Sequence, residues 1–332
     1  MFTNLKASAS QNIKGYIYRK QPIILTYHNV LTNEHDFTVS CHINPDLFEQ
    51  HIKYLSNNFM CASLTKLLNN QRENDFQPYT VAVTFDDGFF SNLSVALPIL
   101  EHYNVPATVF VTTSFINRKI LNWPEILYAA LSLSSNTSIN YNGKTLSLVT
   151  SAEKHSVYQC ITKSFKLYSL EKCTEIINQL LNKLSVTKNI IYSSYLYNEI
   201  RMLSWEELQI LNNSDIITIG SHTVDHSRLA KCSTHDAKTN IADSKQILEK
   251  KLGTINYFAY PYGGRQTDYT DEHVAMVKNV GYKAAYSCDS RPLLPEDNIF
   301  DLPRSLIDAS TSFDKFKYLL KGGIAHQKNQ QL

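Results

Sequence analysis

With 332 residues, the chain has room for one large α/β domain carrying insertions, or for two domains. Its formal charge of +2 is close to balanced and its Lys and Arg are scattered, which argues against nucleic acid as the main partner. Ten glycines and ten prolines argue against long disordered stretches.

The first twenty residues are polar and mildly basic, and read as an N-terminal extension. They lack the apolar centre of a secretory signal, and no run of eighteen uninterrupted apolar residues follows. A cytoplasmic location without a transmembrane segment is therefore expected; the basic start reads as a solvated extension, with peripheral membrane contact as the alternative. Cys41, Cys61, Cys160, Cys173, Cys232 and Cys288 are widely spaced and form no CxxC pair, which suits reduced thiols.

PIILTYH (22–28) is the first continuous run of strand-forming residues, and it ends in His28. NPDLFEQHIKYLSNN follows as a helix with Leu47, Phe48, His51, Ile52 and Leu55 on one face. TVAVTF (80–85) is a second strand that runs straight into Asp86, Asp87 and Gly88. SNLSVALPILEHYNV reads as a helix and ATVFVTT (107–113) as a third strand. From about 117 to 202 the rhythm breaks. NWPEILYAALSL and SLEKCTEIINQLLNKL have helical patterns, and Asn142-Gly143 between them is a good hairpin turn. This interval reads as a mostly helical insertion. Ser204 and Glu207 then form a capping-box pattern. Further strands are DIITIGSH (215–222), NYFAYPYG (256–263), KAAYS (283–287) and NIFDLPRSLI (298–307). NIADSKQILEKKLG is a helix with a glycine at its stop position. Residues 326–332 form a polar tail.

The strand runs are continuous rather than alternating, as in strands buried on both faces, and they alternate with helices, as in a parallel sheet. Seven or so such strands predict a closed or nearly closed barrel, in one domain spanning 21–325. His28, Asp86, Asp87, His222 and Tyr262 gather at strand C-terminal ends, the face where barrel enzymes place their chemistry.

Two adjacent carboxylates at the end of a buried strand repel unless something nearby offsets them. SHTVDH supplies His222 and His226, whose i, i+4 spacing brings two imidazoles to one cation if the segment turns helically. Two His and one Asp make a common catalytic zinc set with a position left open for water. A cation held by Asp87 would also make the second carboxylate favourable. Taken singly, an H-x-x-x-H pair is commonly incidental and an Asp-Asp-Gly is commonly a turn or helix cap. Their joint occurrence at strand ends points to a metal site.

TFDDG followed by SHTVDH resembles the NodB-type polysaccharide deacetylases (carbohydrate esterase family four), over roughly Ile23 to Ile307. ILTYHNV and FAYPYGG look like a subgroup of that family. The resemblance implies an α/β fold, a distorted (β/α)7-type barrel, with Asp87, His222 and His226 on one divalent metal ion. Zinc is the first expectation, with cobalt, nickel or manganese as alternatives. It further implies Asp86 as general base and the backbone N–H of Tyr262 as oxyanion donor. Two departures stand out. The family's third-motif Arg is replaced by Ala259, so Arg304 in DLPRSLI is expected to supply the guanidinium from elsewhere. The family's late His has no clear counterpart: His326 lies in the tail, His273 in a helical segment. His28 is better placed, as general acid, substrate contact or additional metal neighbour. Asp289 in SCDSR echoes the fourth motif. Phe89, Tyr260 and Tyr262 are expected beside the groove, while Trp123 and Trp205 are expected in the core.

The implied activity is removal of N-acetyl groups from a sugar of a polysaccharide or glycoconjugate. The alternatives are a deacetylase or deformylase of a lipid-linked sugar at the cytoplasmic membrane face, and a non-catalytic glycan-binding member. The absent Arg and His favour the last, whereas the intact Asp86, Asp87, His222 and His226 count against it.

Overall fold

The computed structural model describes residues 21–31, 37, 39, 41–73, 75–116 and 121–321. The N-terminal extension, residues 117–120 of the insertion, and the tail with His326 lie outside them.

The continuous apolar runs become parallel strands buried on both faces. In chain order the strands are β1 (Ile23–Tyr27), β2 (Asn29–Val30), β3 (His42–Ile43), β4 (Met60–Cys61), β5 (Thr80–Phe85), β6 (Ala107–Val111), β7 (Ser138–Tyr141), β8 (Lys144–Ser147), β9 (Ile217–Ser221), β10 (Tyr257–Ala259), β11 (Ala284–Tyr286) and β12 (Ser305–Leu306). The main sheet runs β11-β10-β9-β6-β5-β1-β12, with β4 added onto the start of β5. Its register sets Thr26 beside Thr84 and Leu25 beside Ser305. The curled sheet closes through one parallel bridge, Tyr286 to Leu302. The Leu302 amide donates to Ala285 O at 2.9 Å. The Ser287 amide donates to Leu302 O at 2.8 Å, which completes the bridge.

The helices are α1 (Pro45–Asn58), α2 (Leu64–Arg72), α3 (Leu97–His102), α4 (Trp123–Leu133), α5 (Ser151–Phe165), α6 (Leu170–Lys183), α7 (Lys188–Ser193), α8 (Tyr195–Ile200), α9 (Trp205–Asn212), α10 (Thr234–Leu252), α11 (Asp271–Val280) and α12 (Phe313–Leu320). Asn44 caps α1, which buries Phe48, His51, Ile52 and Leu55 and leaves Leu47 at the edge. The helix expected after β5 starts differently. Asn92–Ala96 forms a π turn, the Leu97 amide reaching back five residues to Asn92 O, before α3 begins. Pro98, which has no N–H for the carbonyl four residues back, sits at the junction. The capping box at Ser204 and Glu207 is formed, and α10 stops at Gly253 with φ 87°.

Between β6 and β9 lie α4 to α8 and the β7–β8 hairpin. That hairpin turns on Asn142 (φ 50°) and Gly143 (φ 76°), the left-handed pair that a two-residue turn requires. These elements have an apolar core of their own, in which Leu127, Ile161, Phe165, Ile177 and Ile191 meet. No helix of the described residues is long and apolar enough to cross a membrane.

Candidate active site

The Asp86 amide still follows the β5 ladder, donating to Tyr27 O at 3.0 Å. Asp87 (φ 72°) and Gly88 (φ 84°) then turn the chain through left-handed backbone. A Cβ at Gly88 would lie 2.8 Å from Val111 Cγ1, so the turn packs directly on the end of β6. Both carboxylates end up buried at the strand termini.

The structure brings Arg304 to Asp86. Nη1 and Nη2 donate to Oδ1 and Oδ2 at 2.6 and 2.8 Å, a two-pronged contact. Arg304 is 0% exposed; its Nε donates to Ser287 O (3.0 Å), and the Thr26 and Thr84 hydroxyls lie 3.2 Å from Nη1. Burial pushes the Asp86 carboxyl up, but the charge of Arg304, then His222, the Arg304 hydrogen bonds and His28 together hold it below the ordinary carboxylate range.

Asp87, His222 and His226 come together as a buried set whose donor atoms all lie within 4.8 Å of one another. The SHTVDH segment is not helical, contrary to the spacing argument. Thr223 (φ 70°) and His226 (φ 62°) are left-handed, Thr223 Oγ1 accepts the His226 amide (3.0 Å), and Asn240 Oδ1 accepts the amides of Val224 and Asp225. The imidazoles meet through a side-chain-braced turn instead. His222 Nδ1 lies 2.8 Å from the Ala259 carbonyl, which can accept only from a protonated Nδ1. Nε2 is then left facing Asp87 Oδ1 at 3.7 Å and Asp86 Oδ2 at 3.9 Å. Burial, with smaller opposing effects of its neighbours, pulls His222 down to about 4, so it is neutral at pH 7 with that lone pair available. For Asp87 the burial penalty is outweighed by His226, His28 and His222, and its carboxyl falls below the usual range.

These donors fit a small divalent cation. His226 Nε2 is 3.1 Å from Asp87 Oδ1, a buried oxygen with no well-formed hydrogen bond among the described residues. Tetrahedral zinc with bonds near 2 Å spaces its ligands about 3.3 Å apart, between the 3.1 and 3.7 Å found around Asp87.

His28 is half-buried, its Nδ1 has no partner among the described residues, and its charge acts on both Asp86 and Asp87. Tyr262 is left-handed (φ 62°) and its amide donates to no described residue. Its ring packs on His226 (centroids 4.7 Å apart) and under the Arg228 guanidinium (3.5 Å), and its hydroxyl accepts from Trp123 Nε1 at 3.2 Å. Trp123, expected in the core, is therefore also a neighbour of the site.

Tyr260 and Phe89 do not line a groove; both are fully buried. The Tyr260 amide stays on the ladder, donating to Tyr286 O, which keeps its ring beside Phe258 and stacked on Tyr269 at 3.9 Å. Phe89 bridges to Met202 and packs with it and Phe115. His273 Nδ1 accepts the Thr270 amide (3.1 Å) and caps α11, while Asp289 pairs with Arg291 at the surface.

The start of α4 was not foreseen here. Asn122 caps the helix through Oδ1, and its Nδ2 lies 3.4 Å from His226 Nδ1. Glu125, one turn on, is buried. Asn-Trp-Pro-Glu is legible as a helix start, with Asn as cap, Pro in the first turn and an acid after it. That this start folds back onto His226 has no local signal.

A family model described as polysaccharide deacetylase matches residues 73–285. A poly-beta-1,6-N-acetyl-D-glucosamine N-deacetylase of Staphylococcus aureus is 23% identical over 280 residues, which cover 84% of this chain and 71% of that protein. Among solved structures, the Streptococcus pyogenes deacetylase PplD in complex with acetate superposes with a TM-score of 0.58 at 19% identity, covering 90% of this chain and 98% of that one. IcaB from Ammonifex degensii gives 0.56 at 17%, covering 92% and 98%. These two likenesses speak for the fold.

Proposed function

The chain belongs to the polysaccharide deacetylase family, a family of hydrolases, and on that footing we propose that it is a metal-dependent N-deacetylase of an N-acetylated glycan. The relative from Staphylococcus aureus makes β-1,6-linked N-acetylglucosamine the first substrate class to test. The observation that carries the reading is an Arg-clamped Asp86 set beside the three donors of Asp87, His222 and His226.

Asp87, His222 and His226 would hold one divalent ion, zinc first, with cobalt, nickel or manganese as alternatives. Such an ion, when bound, brings the pKa of its water toward ~7 and polarises the acetamide carbonyl. Asp86 is ionised and adjacent to the donor set without belonging to it, so it takes the proton of the attacking water. Arg304 holds the carboxylate plane while each oxygen keeps a lone pair for that proton. The Tyr262 amide, which donates to no described residue, serves the developing oxyanion, a donor worth about 3 kcal/mol in such sites. His28 hands a proton to the departing nitrogen as the C–N bond breaks, releasing acetate and a free amine.

Metal analysis and an acetate-release assay on β-1,6-linked N-acetylglucosamine oligomers test this reading. The wild type should bind a single zinc and release acetate, a chelator should stop it, and added zinc should restore it. Asp86→Asn should keep the metal and lose roughly a hundredfold or more in turnover. Zinc-loaded wild type that binds oligomer and releases no acetate would sink the enzyme reading in favour of a glycan-binding role.

A further inference from the structure

Glu125 is a buried carboxyl for which the proposed reaction has no use. It is 4% exposed, and its Oε2 has no hydrogen-bond partner among the described residues. A buried polar atom left alone costs about 1–3 kcal/mol, so a retained one calls for a partner that arrives later. The carboxyl takes a hydrogen bond from its own backbone amide. Burial, and after it the negative charge of Asp87, push it well above the ordinary carboxylate range.

The placement of α4 says where the missing partner would come from. Asn122 lies against His226, Trp123 donates to the Tyr262 hydroxyl, and the first turn that these two anchor carries Glu125. The charge of Asp87 also acts on Glu125. Glu125 therefore shares the helix turn whose first residues touch His226 and the Tyr262 hydroxyl. In the proposed reaction the acetamide carbonyl oxygen would be taken up by the Tyr262 amide and by the ion that Asp87, His222 and His226 would hold, which leaves the acetamide N–H as the polar group still to be bound.

We propose that Glu125 is a substrate-binding residue of the catalytic centre, its carboxyl accepting the N–H of the scissile acetamide. This rests on the deacetylase reading, and it makes the insertion a supplier of amide specificity. An ester at the same carbon has no N–H to offer, so Glu125 should not assist it.

The test compares the zinc-loaded full chain with Glu125→Met and Glu125→Gln. The substrates are a β-1,6-linked N-acetylglucosamine oligomer and its analogue with an O-acetyl ester at the same carbon. Met fills the space without an acceptor, and Gln keeps one. Glu125→Met should lose roughly ten- to a hundredfold in kcat/KM on the amide. It should stay within about twofold on the ester, with zinc content and Tm at or above wild type. Glu125→Gln should recover the amide rate to within a few-fold. Wild-type amide rates in Glu125→Met, equal losses on both substrates, lost zinc, or Glu125→Gln as inactive as Met would each overturn the assignment. A zinc-loaded wild type that cleaves neither substrate fails at the deacetylase reading, which distinguishes that outcome from the rest.

Discussion

Arg304, at the head of β12, grips both oxygens of Asp86, at the tail of β5, across the intervening β1. Thr26 on β1 and Thr84 on β5 are register partners whose hydroxyls flank the guanidinium. One aspartate of the adjacent pair is thus neutralised from within the barrel, and the other faces His226. The repulsion between them is met by two different cations or cation sites.

Because that pair is fully buried, its partners should be strongly coupled in stability. Arg304→Met strands a buried carboxylate and should cost about 3–5 kcal/mol of unfolding free energy. Asp86→Asn removes the opposite charge and should also destabilise. The double variant should be at least about 2 kcal/mol more stable than the sum of the single effects predicts. Denaturant unfolding of the four proteins closes the cycle. Additive effects would show that the contact is not held in solution.

The barrel strands were legible because each is an uninterrupted apolar run, and the polar residues that end them fell at one face as a parallel sheet requires. Arg304 was legible as an expectation because Ala259 left a gap in a recognisable motif. The approach of α4 to His226 was not, since it joins Asn122 to a residue 104 positions away through the packing of the whole insertion. Nor was the left-handed backbone at Asp87, Thr223, His226 and Tyr262, none of them glycine. Such conformations cost free energy locally and are imposed by tertiary contacts, so no propensity announces them. The same limit misplaced Tyr260 and Phe89: adjacency to a motif says nothing about which side of the sheet a ring takes.

The turn after β5 should tolerate no side chain at Gly88. An alanine there needs φ 84° and places its Cβ 2.8 Å from Val111 Cγ1 and 3.2 Å from Val111 Cβ. Left-handed backbone costs about 1–2 kcal/mol for a residue with a Cβ, and overpacking adds about 1–3. The Gly88 carbonyl accepts the Leu203 amide (2.9 Å), so relief by shifting the turn would move Asp87 and break that anchor as well. Gly88→Ala should therefore lower Tm and weaken zinc binding together. Calorimetry alongside a zinc titration checks both, and an unchanged zinc affinity would show that Asp87 is held independently of this turn.

His51 should make the fold acid-sensitive. It is fully buried on α1, stacked on Phe316 of α12 at 3.8 Å, with Tyr27 Oη 3.2 Å from its Nδ1. Burial lowers it to about 3, so the folded protein keeps the imidazole neutral where the unfolded chain protonates near 6.5. Between those values the unfolded state binds the extra proton, and stability falls as pH falls. From pH 6.5 down to 5 that linkage amounts to about 2 kcal/mol, and it ends once the folded protein also protonates near 3. His51→Gln keeps a partner for Tyr27 and removes the titration. Its unfolding free energy, measured in denaturant from pH 7 to 5, should drop about 2 kcal/mol less than that of the wild type. Parallel pH profiles for the two proteins would mean that the imidazole takes up its proton inside the fold, with α12 moving off α1 to admit water.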